Sequence, residues 1–201
     1  MPEKNINSTT MLPAALRPTP DESGMTVPQL LEHRINALFE QIPLVAELGE
    51  AFAQAGHDLY LVGGSVRDAL MGRLGHDLDF TTDARPDDTE AILRQHTHAT
   101  WDIGRAFGTI GAQIDDWVVE VTTYRADAYH PDSRKPEIVY GETLKDDLIR
   151  RDFTVNAMAL HAATRTFSDP YAGLTDIVSG ILRTPFPPER SFSDDPQIGR
   201  A

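Results

Sequence analysis

Residues 59–73 read LYLVGGSVRDALMGR, and residues 76–80 read HDLDF a few positions later. The first four residues form a short apolar run closed by two glycines, which is typical of a strand that ends in a tight turn. Val66, Ala69 and Leu70 then recur at helical spacing, and a glycine two residues later can end that helix. The second segment alternates polar and apolar residues, as a strand does. The stretch therefore predicts a strand, a glycine turn, a helix and a second strand.

The glycine turn leads into a helix N-terminus, which is a place where phosphate can bind. The first N–H groups of a helix have no partner inside the helix and carry partial positive charge. Gly63 and Gly64 let the backbone approach a ligand closely, and Ser65 follows them directly. Arg67, one turn into the helix, can place a planar cation on the outer phosphates. We predict that these four residues bind a nucleotide, although two glycines alone before a helix more often form only a tight turn.

Two carboxylates lie on the second strand. The alternation of a strand places Asp77 and Asp79 on one face and Leu78 and Phe80 on the other. Adjacent carboxylates repel each other unless a cation lies between them, and Mg²⁺ prefers oxygen ligands. An Asp-x-Asp pair alone is usually solvated. Combined with the glycine turn, it predicts a site for a metal-bound nucleoside triphosphate, with both aspartates as catalytic metal ligands.

A third carboxylate is predicted from a hairpin. Residues 107–114 and 117–121 are strand-like and are separated by two aspartates. Glu120 interrupts the second apolar run, so its side chain either faces water from an edge strand or faces a site. Two-metal phosphoryl chemistry commonly uses a third carboxylate from a neighbouring strand. We therefore predict Glu120 as a further catalytic metal ligand, with an edge position as the competing account.

A second polar segment follows a predicted helix. Residues 150–157 read RRDFTVNA. Arg151, Asp152 and Asn156 suit a ribose hydroxyl and a phosphate better than they suit a core, because they combine a planar cation with hydrogen-bonding groups. We predict that all three bind nucleotide.

A long loop is predicted before this segment. Residues 126–136 have no hydrophobic period and contain several charged residues, and long loops in compact domains are often functional. Arg125, Arg134 and Lys135 either close on phosphates or an RNA end, or are solvated charges.

Composition restricts the class of protein. The chain has 201 residues, of which 40% are hydrophobic and 24% are charged, as in globular proteins. It has no cysteine, which excludes disulfides and thiolate metal sites, and no apolar run approaches the ~20 residues that span a bilayer. A cytoplasmic protein with no membrane partner is expected. The formal net charge of −13 counts against RNA binding by this chain alone.

The domain organisation follows from the hydrophobic periodicity. Residues 1–26 are rich in proline and polar residues and are predicted to be a flexible leader. Two packing helices begin at residue 27, and we expect one domain over residues 27–183 that ends with a strand at 181–183. Residues 184–201 are predicted to be a linker, because prolines recur there.

Together these motifs resemble a known family. Residues 62–68 with residues 77–80 resemble the signature of the nucleotidyltransferase superfamily, and residues 150–157 are similar to the ribose-selecting motif of class II tRNA nucleotidyltransferases (CCA-adding enzymes) and the related bacterial poly(A) polymerases. Residues 169–176, DPYAGLTD, resemble the segment between head and neck in that family. The resemblance implies an α/β (α+β) head domain with a mixed, mainly antiparallel sheet and packing helices.

The resemblance also implies roles for individual residues. Gly64 and Arg67 would contact the triphosphate, and Arg151 with Asp152 would contact the nucleotide. The paired aspartates of the second strand would hold the metal ions.

The end of the chain departs from the family pattern. Residues 191–196, SFSDDP, resemble the start of the motif whose acidic and arginine side chains pair with the base. Asp195 supplies a carboxylate and is a further predicted nucleotide-binding residue, whereas Ile198 occupies the position expected to be arginine. Because the family continues into neck, body and tail domains, residues 184–201 are expected to be a linker and the truncated start of a neck.

The leading functional hypothesis is Mg²⁺-dependent, template-independent addition of CMP and AMP, from CTP and ATP, to the 3′ end of tRNA. Contact with tRNA would be made mainly by domains absent from this chain. Poly(A) synthesis is the alternative within the family, and a non-catalytic nucleotide-binding fragment is an alternative that the net charge favours. A nucleotidyltransferase for small molecules would share the glycine turn and the two aspartates, but it would not need residues 150–157.

Overall fold

A computed structural model of the chain describes residues 19–73, 75–126 and 139–187. The helices are α1 Val27–Gln41, α2 Pro43–Gln54, α3 Gly63–Leu70, α4 Pro86–Leu93, α5 Leu144–Leu148 and α6 Gly173–Ser179. The strands are β1 Leu59–Val62, β2 Asp77–Thr82, β3 Thr100–Trp101, β4 Thr109–Ile114, β5 Trp117–Thr123, β6 Arg125–Ala126, β7 Val139–Tyr140, β8 Ala159–His161 and β9 Phe167–Ser168. In these ranges no helix is both long enough and apolar enough to cross a membrane.

Seven of these strands form one sheet in the order β3-β4-β5-β2-β1-β8-β9, and β6 pairs with β7 separately. Within the seven-stranded sheet β2 and β5 are parallel, while every other neighbouring pair is antiparallel. The predicted mixed, mainly antiparallel sheet is therefore confirmed. The predicted strand, glycine turn, helix and strand of the opening stretch are β1, α3 and β2.

The main hydrophobic core lies on one face of the sheet. Leu78 and Phe80 of β2 point into it and are each 2% exposed, and Val119 and Val121 of β5 are fully buried there. Apolar residues of α1, α2, α3 and α4 complete this core. Burial of this face accounts for the alternation of β2 and β5, because successive side chains of a strand point to opposite faces. On the other face β2 and β5 carry polar residues, and a second, smaller hydrophobic cluster is formed by Val62, Leu148, Ala157 and Ala159.

The predicted boundary of the flexible leader differs in the structure. Residues 19–26 were assigned to the flexible leader, but they contain a 3₁₀ turn, Pro20–Glu22, whose glutamate is buried against Arg34 of α1. This turn is held by an ion pair between residues 12 apart in the sequence. Such a pair produces no hydrophobic periodicity, so the sequence pattern does not reveal the turn. Residues 1–18 lie outside the described residues.

The strand predicted at residues 181–183 is absent, and that prediction was wrong. Gly180 adopts a left-handed conformation with φ 65° at the end of α6, and residues 181–183 pair with no strand of the sheet within the described residues. The carbonyl of Arg183 instead accepts a hydrogen bond from the Thr154 amide at 2.8 Å. Ile181 and Leu182 are left exposed.

Candidate active site

The glycine turn at the start of α3 brings two later segments of the chain together. Gly63 has φ +67°, a conformation that favours glycine because it has no Cβ. A Cβ there would lie 3.1 Å from Nη1 of Arg151 and 3.9 Å from Oδ2 of Asp79. The backbone of the turn therefore lies directly beside a guanidinium and a carboxylate.

The three predicted carboxylates lie on the polar face of the sheet. Asp77 and Asp79 are exposed while their neighbours in β2 are buried, and Glu120 is exposed in β5. In the parallel pair β2–β5, Asp79 lies directly beside Glu120. Because β5 is bordered by β2 and β4, it is an internal strand, and the edge account of Glu120 is excluded.

Ser65 links the helix to the strand that bears the aspartates. Its hydroxyl donates to the Asp77 carbonyl at 3.1 Å and accepts from the Asp79 amide at 3.3 Å. These two bonds join the first turn of α3 to the start of β2. In the structure Ser65 therefore positions the two carboxylates relative to the glycine turn.

Electrostatics around Asp79 suit a cation. Although Asp79 is accessible to solvent, neighbouring protein atoms reduce its hydration, and this desolvation raises the pKa of its carboxyl above the ordinary value. Arg151 opposes the shift, and the charge of Asp77 adds to it. Within the described ranges no three His, Asp or Glu side chains are close enough to hold a metal ion by themselves. A metal at the paired aspartates would therefore take further oxygen ligands from a nucleotide or water.

Arg67, Asn156 and Asp152 form one hydrogen-bonded chain. Nη1 of Arg67 donates to Oδ1 of Asn156 at 2.6 Å, and Nδ2 of Asn156 donates to Oδ1 of Asp152 at 2.9 Å. Arg67 also makes a two-pronged contact with Asp68 at 2.9 and 3.1 Å. The structure thus joins the two predicted nucleotide-binding segments. The bonded residues Arg67 and Asn156 are 89 positions apart in the sequence.

Arg151 is held between the glycine turn and α5. Its Nη2 donates to Oδ2 of Asp147 at 3.0 Å, and its Nη1 faces Gly63. Its Nε is buried and has no hydrogen-bond partner among the described residues. An unpaired buried donor costs free energy, so this guanidinium is suited to an added acceptor oxygen. Phosphate and ribose oxygens have that chemistry.

Comparison with known proteins identifies the family. The sequence profile of the Poly A polymerase head domain matches residues 59–183, which is more than half of the chain. The chain belongs to this head-domain family. The head domain is also similar to the CCA-adding enzymes of Staphylococcus aureus (strain MRSA252), at 40% identity over 79% of this chain, and of Bacillus subtilis (strain 168), at 41% identity over 71%.

Solved structures agree with the sequence comparison. The head domain resembles the Bacillus stearothermophilus CCA-adding enzyme in complex with CTP, with a TM-score of 0.67 and 33% identity over 81% of this chain and 37% of that one. It also resembles a tRNA nucleotidyltransferase complexed with a primer tRNA and an incoming ATP analog, with a TM-score of 0.61 and 32% identity over 75% and 42% of the two chains. The chain spans 38% of the Staphylococcus relative and 35% of the Bacillus subtilis relative.

Some residues of the site were missed by sequence reasoning. Asp147 is buried, pairs with the guanidinium of Arg151 and accepts from the backbone amide of Arg125 at 3.3 Å, so it holds one cationic side chain of the site and the backbone of a second cationic residue. Its spacing of four residues before Arg151 was a detectable signal. Burial lowers the pKa of Arg125. Other predicted residues, namely Arg134, Lys135, Asp195 and Ile198, lie outside the described residues.

Proposed function

We propose that this head domain is the catalytic unit of a CCA-adding tRNA nucleotidyltransferase. The observation that carries the proposal is the arrangement of Asp77, Asp79 and Glu120 on one sheet face, beside a helix N-terminus and a guanidinium. The similarity to CCA-adding enzymes supports the same conclusion. In the proposed reaction the 3′-hydroxyl of tRNA attacks the α-phosphate of CTP or ATP, and pyrophosphate leaves.

Mg²⁺ is the proposed cofactor, held by Asp77 and Asp79 with Glu120 beside them. When bound, such a metal supplies activation of the hydroxyl and stabilisation of charge on the phosphates. Desolvation is the main cause that raises the pKa of Asp79, and the charge of Asp77 adds to it; a bound cation would offset both effects, which supports the assignment. The carboxylates themselves orient the reacting groups on the rigid face of an internal strand pair.

The remaining residues of the site are proposed to bind the nucleotide. The N-terminus of α3 with Gly63, Gly64 and Ser65 accepts the triphosphate, where unpaired N–H groups favour negative charge. Arg67 and Arg151 neutralise that charge from two sides of the turn. Nucleotide binding by these arginines would compete with their present carboxylate and amide partners.

We assign ribose binding to the hydrogen-bonded chain of Arg67, Asn156 and Asp152. Asp152 and Asn156, already joined by a hydrogen bond, present an acceptor and an amide suited to a ribose hydroxyl. We propose the cytoplasm as the site of action, because the similar proteins are tRNA-processing enzymes. The net charge of −13 supports contact with tRNA mainly outside this chain.

Poly(A) synthesis is the second candidate, because the matching family is named for a poly A polymerase. The two activities differ in their products. A CCA-adding enzyme adds CMP and AMP from CTP and ATP, whereas a poly(A) polymerase extends RNA with ATP alone. Electrophoresis of products made with ATP alone and with both nucleotides separates the two candidates.

The decisive experiment is incorporation of labelled CMP and AMP into tRNA that lacks its 3′ end. We expect Mg²⁺-dependent incorporation by this head domain joined to the remaining domains of a CCA-adding relative, and none by the Asp77→Ala/Asp79→Ala variant of the same protein. Asp88→Ala/Asp116→Ala is the matched control, since it removes two exposed carboxylates elsewhere and therefore has the same net charge as the Asp77→Ala/Asp79→Ala variant. Undiminished incorporation by the first variant would refute the mechanism. CTP binding in calorimetry without incorporation by the joined wild-type protein would instead favour a non-catalytic nucleotide-binding role.

A further inference from the structure

Trp101 lies on the polar face of the sheet, next to the row of carboxylates. It ends the edge strand β3, where it pairs with Gly111 of β4. A Cβ on Gly111 would lie 2.1 Å from Cε2 and from Nε1 of the indole, so the ring occupies the space above this glycine. The glycine is required here, because any other side chain would displace the tryptophan.

The indole belongs to the same row of residues as the proposed catalytic carboxylates. Gly111 pairs directly with Glu120, and Glu120 lies beside Asp79. Neighbouring strands are about 4.8 Å apart, so the indole covers the position one strand spacing from Glu120 and two from Asp79. Side chains that are directly opposite in adjacent strands share a face of the sheet. An aromatic surface therefore adjoins the carboxylates.

Packing alone does not explain an aromatic residue at this position. Trp117, the other tryptophan of the chain, lies on the opposite face of the sheet from Trp101 and packs there against the main core. Trp101 is only half-buried and packs against neither hydrophobic cluster of the described residues. Its indole N–H makes no hydrogen bond within the described ranges. One part of the ring is thus available to a ligand.

The position of Trp101 relative to the arginines places it nearer to the expected path of the RNA than to the nucleoside triphosphate. Gly63, Arg67 and Arg151 lie on the β1 side of Asp79, whereas Glu120 and Trp101 lie on the β5 and β3 side. In phosphoryl transfer the attacking and leaving oxygens lie roughly in line on opposite sides of the phosphorus. If the triphosphate leaves toward the arginines, the attacking hydroxyl approaches from the side of Trp101.

We propose that Trp101 is the stacking platform for the base of the RNA 3′-terminal nucleotide, whose hydroxyl reacts. The proposal rests on the proposed nucleotidyltransferase function and adds a binding position for the primer end. Aromatic side chains stack on any base, because every base has a π-face. Such a platform therefore suits a primer whose terminal base changes at each addition. Trp101 acts here as a positioning residue.

The test combines substitution of Trp101 with removal of the base it would contact. Trp101→Ala is expected to raise the KM for primer RNA about 10- to 100-fold, the usual effect of losing one base–aromatic stack, while the KM for CTP stays unchanged. Trp101→Phe should restore most of the loss. A primer with an abasic 3′-terminal nucleotide should show the same loss with the wild-type chain and no further loss with Trp101→Ala. A loss that is equal for normal and abasic primers would overturn the proposal.

A second measurement does not depend on activity. In the Trp117→Phe variant the remaining tryptophan fluorescence comes from Trp101. We expect a short RNA ending in CC to quench this fluorescence, and the same RNA with an abasic 3′ end, or CTP alone, to leave it unchanged. Quenching without incorporation would retain the RNA contact while refuting the proposed enzyme. Incorporation without quenching would refute the platform alone.

Discussion

Replacing Glu22 by glutamine should destabilise the domain in a pH-dependent way. Nε and Nη2 of Arg34 donate to the two carboxylate oxygens of Glu22 at 2.9 and 3.0 Å, and both side chains are nearly inaccessible, at 4% and 6% exposure. Nη1 of Arg34 also donates to the Leu70 carbonyl, at the end of the helix that begins with the glycine turn. The substitution removes the carboxylate charge of Glu22 from beside this buried guanidinium.

The expected magnitude follows from the pKa of Glu22. Hydrogen bonding from Arg34 is the main cause that lowers this pKa from 4.5 to about 2, while desolvation opposes it. At 1.36 kcal/mol for each tenfold change in proton affinity, the difference corresponds to about 3 kcal/mol. The pair lies just beneath the surface, where solvent screening is appreciable, so we expect about 1–3 kcal/mol.

Urea unfolding of the wild type and of Glu22→Gln, followed by circular dichroism between pH 2 and pH 7, measures this effect. Because the folded-state pKa is lowered, the stabilisation is fully present above about pH 4.5 and is lost as the pH falls toward about 2. Glu40→Gln, on the exposed face of α1, is the control and should change stability by less than about 0.5 kcal/mol. A difference that is independent of pH, or no difference at pH 7, would refute the reasoning.

Two other predictions concern the site and the core. The pKa of Asp79, measured by NMR, should lie above 3.8 because neighbouring protein atoms desolvate its carboxyl, and it should rise further in Arg151→Ala, since that cation lowers it; a fall in the variant would contradict the assigned electrostatics. Gly49→Ala places a Cβ 2.5 Å from the Ala162 carbonyl carbon and should cost about 1–3 kcal/mol of unfolding free energy, measured by urea denaturation. Gly75→Ala, whose Cβ would have no atom nearer than 4.0 Å, is its control. Equal unfolding midpoints for the two variants would contradict the close packing at Gly49.

Local patterns predicted the β1–α3–β2 unit well, because each boundary there has its own chemical cause. Two glycines end the strand, helical spacing begins directly after them, and the alternation of β2 separates carboxylates from core residues. The β4–β5 hairpin was predicted for the same reason. Glu22 and residues 181–183 were misassigned, because their conformation depends on Arg34 and Thr154, which are distant in the sequence.

Local sequence patterns indicated which residue types could bind a metal-bound nucleotide, and which face of β2 would carry the aspartates. They could not say what lies beside the aspartates, because strand order and register arise from packing between segments far apart in the chain. The tertiary structure alone decided that β5 is internal and parallel to β2, so that Glu120 lies next to Asp79. It also decided that Trp101 covers Gly111 in the same row, a contact that no local pattern encodes.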